Sequence, residues 1–159
     1  MILAIDPGTE KAGIILLGSD QKILECHVMQ NPEVLDYIVS LETRPKWLAI
    51  EQVKSYGMAV GETTFKTVEW SGRFIQQWLN VTSFQEDKVL RLPRLEIKLH
   101  LCHSPRANDG NIRQALIDRL GQPGNKRDPG PTYNIKSHMW AALAVAITAH
   151  DKIKEADRG

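Results

Sequence analysis

Two carboxylates in this chain each close a short apolar run. Ile2-Leu3-Ala4-Ile5 stops at Asp6 and is followed by Pro7-Gly8, and Trp47-Leu48-Ala49-Ile50 stops at Glu51. Apolar runs of this length read as buried strands, and Pro-Gly is a turn signal. Each acid therefore falls at the carboxyl end of a strand, where the side chains of an α/β sheet face a ligand crevice. A single acid in such a place usually caps a turn. Two of them suggest an oxygen-donor site for a hard divalent cation.

The elements that must position these acids can be traced along the chain. After Asp6, residues 13–17 and 23–28 read as two further strands joined at Gly18-Ser19-Asp20, so the first three strands form an antiparallel meander. Pro32 starts a short helix to about Ser40, with Val34, Leu35 and Ile38 on one face. The strand ending at Glu51 follows this crossover and is expected to run parallel to the first. Residues 52–62 show no strong periodicity. A helix over about 63–79 carries Trp70, Phe74 and Trp78 at four-residue spacing, a face that is either core or a subunit contact.

Farther on, Leu95, Ile97, Leu99 and Leu101 alternate with Arg94, Glu96, Lys98 and His100, which predicts a strand with one wet face. Asn108 or Asp109 is placed to cap a helix whose apolar stripe is Ile112, Ala115, Leu116 and Leu120, and Gly121 stops it. Residues 122–131, rich in Pro and Gly, read as a mobile loop. An alanine-rich helix from about Ile135 past Ile147 should pack closely on the sheet. The expectation is one domain over 1–159, with no internal repeat.

Composition sets broad limits. A chain of 159 residues is long enough to bury a sizeable core. No segment approaches the roughly 20 apolar residues of a membrane span, and no basic leader precedes the opening apolar stretch. Cys26 and Cys102 are too few for a disulfide framework or a zinc cluster, which points to reduced thiols in a cytoplasmic protein. The net charge of +1 neither announces nor excludes nucleic acid.

The strand and helix order, with acids ending the first and fourth strands, resembles the ribonuclease H-like nucleases. Within them the chain looks like a RuvC-type Holliday junction resolvase, most like the phage forms. Ile5-Asp6-Pro7-Gly8, Ile50-Glu51-Gln52-Val53 and Ala142-Leu143-Ala144-Val145-Ala146 carry the resemblance, in register over nearly the whole chain. It implies a five-stranded mixed sheet flanked by helices, and an endonuclease that cuts branched DNA by hydrolysis with two Mg2+ ions, for which Mn2+ would substitute. It further implies a homodimer, because a four-way junction is two-fold symmetric.

The resemblance also implies metal ligands at Asp6, Glu51 and His138. The family has a further ligand three residues beyond the last of these, where this chain has Ala141. Water and substrate phosphate could complete a three-ligand set, Asp128 could enter from the adjacent loop, or catalysis could be weakened. Lys98 matches a basic residue near the scissile phosphate. Arg94 and Arg106 are further phosphate contacts, with Arg106 the nearest cation to a position where the family often has lysine. Lys54 and Tyr56 follow Glu51 in a loop where the family inserts an aromatic ring at the junction. Two other readings stand beside this one: a branched-DNA binding protein without turnover, and the actin and sugar-kinase ATPase fold, which also opens with an Asp-Gly hairpin but needs a duplicated domain.

Overall fold

Alternation along two central strands decides which way the two acids point. In the computed structural model, which describes all of residues 1–159, β1 (Ile2–Asp6) lies antiparallel to β2 (Lys11–Leu17) and parallel to β4 (Trp47–Gln52). β3 (Ile23–Gln30) pairs antiparallel with β2, and β5 (Val89–Pro93) pairs parallel with β4. The sheet order is β3-β2-β1-β4-β5. The five-stranded mixed sheet expected from sequence is observed.

Successive strand side chains face opposite ways. Leu3, Ile5, Ile14, Leu16, Leu48 and Ile50 bury one face against Val34 and Ile38 of α1 (Asn31–Ser40) and Phe74 and Trp78 of α2 (Glu62–Val81). Ile2, Ala4, Ile15, Leu17 and Ala49 bury the other face against α5 (His138–Arg158). By the same alternation, Asp6 and Glu51 belong to the α5 face. Ile2 is level with Trp47 and Ile5 with Ile50, so continuing that offset sets Asp6 beside Glu51.

α5 is the central helix, and every residue from Ala142 to His150 is buried. Ala142, Ala144, Ala146 and Ala149 have small side chains that let its backbone lie close to the strands. α4 (Asp109–Leu120) flanks it, capped by Asn108, whose side chain accepts from the Asn111 amide, and ended at Gly121 as expected.

The fifth strand departs from the sequence expectation. Residues 94–102 form a helix, α3 (Arg94–Cys102), and the strand that pairs with β4 is the five-residue run before it. Arg, Leu, Glu and Lys are good helix formers, and Ile97 is the only β-branched residue in the segment. Ile97 packs in the core with Leu101 one turn later, while Leu95 and Leu99 remain exposed. Arg94 and Lys98 are consequently one helical turn apart, on a helix that begins directly after β5.

The aromatic stripe of α2 also resolves. Phe74 and Trp78 are sealed in the chain's own core, and Trp78 stacks on Phe84 at 5.8 Å, so this face is not a free subunit contact. Only Trp70 is partly open, stacked on Phe74 with the Arg73 guanidinium 4.0 Å from its ring. Residues 122–131 form a turn with its own hydrogen bonds, including Asn125 Oδ1 accepting from the amides of Arg127 and Asp128. No helix is long and apolar enough to cross a membrane.

Candidate active site at the ends of β1 and β4

A cleft of about 690 Å3 opens where β1 and β4 end. Asp6 and Glu51 form its floor, His138 and Ala141 of α5 one wall, and Asp109, Gly110 and Arg113 of α4 the other, with Arg94 entering from α3. The two acids are the least exposed charged groups here, with side chains 14% and 17% accessible.

His138 reaches the floor because Gly13 has no side chain. Gly13 pairs with Asp6 across β1 and β2, and a Cβ on it would lie 2.2 Å from the His138 carbonyl oxygen. The first residue of α5 thus sits directly over this glycine. Ser137 precedes it with φ 50° and ψ −133°, a positive-φ conformation strained for a non-glycine residue. In this position His138 Nδ1 faces Asp6 Oδ2 at 3.3 Å.

Electrostatics follows from burial and from counting charges. Burial, then the neighbouring Glu51, push the Asp6 carboxyl up to about 7, and His138 and Arg94 only partly offset this. Burial also raises Glu51, opposed chiefly by the Arg94 guanidinium, with Lys98 close enough to contribute. Arg94 Nη1 donates to Glu51 Oε2 at 3.2 Å, and its Nη2 donates to Asp109 Oδ1. One guanidinium therefore bridges two carboxylates from different elements. Of the two arginines that line the cleft, Arg94 alone is paired with these acids.

The donor types suit a hard divalent ion: carboxylates from Asp6, Glu51 and Asp109 and an imidazole from His138. No three acid, histidine or cysteine side chains converge tightly enough to enclose an ion as they stand, and here Arg94 stands between Glu51 and Asp109. The cleft thus offers donors for a cation without forming a closed cage.

Of the residues singled out from sequence, Asp6, Glu51, His138 and Arg94 line one cleft. Arg94 faces inward onto carboxylates. Lys98 lies beside the cleft, within electrostatic reach of Glu51. Lys54 and Tyr56 stand on the exposed loop after β4 and do not line it, with Tyr56 at φ 50° beside Gly57 at φ 82°. Arg106 borders a separate groove with Ser104, Asn111 and Asp118. Asp128 is held in the 122–131 turn and does not line the cleft. Sequence reasoning assigned no role in the site to Asp109, Arg113 or Trp140. The last two pair across the wall, with the Arg113 guanidinium 4.9 Å from the Trp140 ring. The acid at the start of a helix after a polar loop was the available signal for Asp109.

The five-stranded mixed sheet with flanking helices is a ribonuclease H-like fold. Among solved structures, the chain matches Thermus thermophilus RuvC in complex with a Holliday junction substrate at a TM-score of 0.70 and 17% identity, over 98% of this chain and 95% of that one. A second Thermus thermophilus RuvC structure matches at 0.70 and 17%, over 97% and 96%. No family model and no curated protein matches the sequence. The fold of the chain is that of RuvC.

Proposed function

We propose that this protein is a divalent-cation-dependent endonuclease that cuts branched DNA, with Holliday junctions as its substrate class. The observation that carries the proposal is the pair Asp6 and Glu51, buried side by side at strand ends on the floor of one cleft, where burial raises both carboxyls. Neighbours of the same fold include a RuvC bound to a Holliday junction, which supports the substrate class.

Asp6, Glu51 and His138 would hold the metal, Mg2+ or Mn2+, which when bound would supply an activated water and charge neutralisation at the scissile phosphate. Asp6 brings an oxygen donor that must lose its proton near neutral pH. Glu51 brings a second, already oriented by Arg94. His138 brings a nitrogen donor, fixed over Gly13. Lys98, one turn beyond Arg94, would meet the DNA phosphates at the edge of the cleft, and Lys54 and Arg106 would extend the contact. Tyr56, 58% exposed on its loop, has the aromatic surface to stack on an unpaired base.

A homodimer in the cytoplasm is the working form that suits a two-fold junction. Its apolar contact would draw on the outer face of α2, where Phe65 and Val68 are exposed. Sedimentation with and without junction DNA checks the dimer, which is expected at micromolar concentration.

The activity is tested with a labelled four-way junction and a linear duplex of matching sequence. Cleavage of the junction in Mg2+ or Mn2+, abolished by EDTA, is expected. Stable junction binding with no cleavage in either metal would favour a DNA-binding protein without turnover.

A further inference from the structure

One position on the cleft wall offers no donor and, close by, the fold supplies a cation itself. Ala141 lies on the cleft wall one turn after His138 and offers no ligand. Across the cleft, Arg94 is clamped between Glu51 and Asp109, with a half-buried guanidinium whose two terminal nitrogens each face a carboxylate. One oxygen of each acid is thereby engaged by Arg94. The clamp is built into the backbone. Arg94 is the first residue of α3 after Pro93 ends β5, and Asp109 is the first residue of α4 after its Asn108 cap.

Resting on the metal-dependent reading above, we propose that the Arg94 guanidinium takes the place of a second divalent ion, so that the cleft binds one metal ion per chain. Charge counting agrees. Asp6, Glu51 and Asp109 carry three negative charges when ionised; Arg94 and one divalent ion balance them, and Arg113 on the wall adds one more positive charge. A second divalent ion would leave the cleft three charges in excess before DNA arrives. It would also compete with Arg94 for Glu51, whose carboxylate cannot face both cations at close range without repulsion between them. Asp109 acts here as a positioning residue: it holds Arg94 against Glu51 from the far side.

The count can be read directly by electron paramagnetic resonance of Mn2+ on the full chain bound to a four-way junction carrying slowly cleaved phosphorothioate linkages. The wild type should bind one Mn2+ per chain with an uncoupled six-line spectrum. The double variant Arg94→Ala/Ala141→Asp removes the resident cation and adds a carboxylate to the wall one turn after His138. It should bind two ions and give the broadened spectrum of a spin-coupled pair, with thermal melting confirming that it folds. Two coupled ions in the wild type, or a single ion in the folded double variant, would overturn the inference. An absence of bound Mn2+ from the wild type would remove the metal site on which it rests, and the inference with it.

Discussion

The two ends of the buried part of α5 carry opposite kinds of charge cluster. At its start, three carboxylates (Asp6, Glu51 and Asp109) line a cleft with Arg94, Arg113 and His138, and Asp6 is pushed up to about 7. At its far end a single carboxylate, Asp151, accepts from Arg119 Nη1 and Nη2 at 2.6 Å each and faces His100 Nε2 at 2.7 Å and His150 Nδ1 at 3.3 Å. His150 Nε2 in turn faces the Ser19 carbonyl at 3.1 Å. Despite its partial burial, Asp151 is held well below the usual carboxylate range, by Arg119 first and then by the two histidines. The far cluster ties α3, α4, α5 and the β2–β3 turn together with its charge satisfied. The near cluster instead holds two carboxyls raised by burial, as the proposed cation site requires.

The largest expected break of this contrast is Glu51→Gln. It keeps shape and removes a ligand, so junction cleavage should fall by about 1,000-fold, a loss of roughly 4 kcal/mol of transition-state stabilisation. Junction affinity in a gel-shift assay should stay within about threefold of wild type, because phosphate contacts rather than this acid supply binding. Next comes Gly13→Val, which forces the start of α5 away from Asp6. Cleavage should drop about 100-fold, as a displacement near 1 Å can do. Chemical denaturation should show a loss of about 1–3 kcal/mol from overpacking.

Arg119→Ala sharpens the comparison from the other side. It leaves Asp151 with only the histidines, so stability should fall by about 1–3 kcal/mol while the cleavage rate of the folded protein is unchanged. Fluorescence-monitored urea unfolding and a rate assay on the same sample separate the two effects.

The smallest effect is the response to pH without metal. The folded-state value for Asp6 lies above its unfolded one, 3.8 against about 7, so folding favours its protonated form. That contribution is full below pH 3.8 and disappears as pH rises through 7, so the wild type should lose on the order of 2 kcal/mol between pH 5 and 8. Asp6→Asn should flatten this slope. The Asp151 contribution has the opposite sign: its folded value is depressed, so it is present above about pH 4 and is lost only in stronger acid.

Much of the near cluster was readable from sequence because it depends on local signals. An apolar run ending in an acid identifies Asp6 and Glu51, and a Pro-Gly turn marks where β1 stops. The caps of α4 were readable for the same reason, since Asn108 and Gly121 act within their own turn. The segment 94–102 was not, because Leu95, Ile97, Leu99 and Leu101 alternate as in a strand while the composition favours a helix, and packing of Ile97 and Leu101 decides the matter. The Arg94–Asp109 contact joins the starts of two helices and has no signature in either. Gly13 was read as the opening of a strand, since only the position of α5 shows what its missing side chain permits.

The central claim is that Asp6 serves chemistry and not DNA binding. Its most direct test measures cleavage and binding of one labelled four-way junction side by side, in Mn2+, for the wild type and Asp6→Asn. The expected result is a variant that binds like the wild type and leaves the junction intact. Cleavage by Asp6→Asn at the wild-type rate would contradict the account.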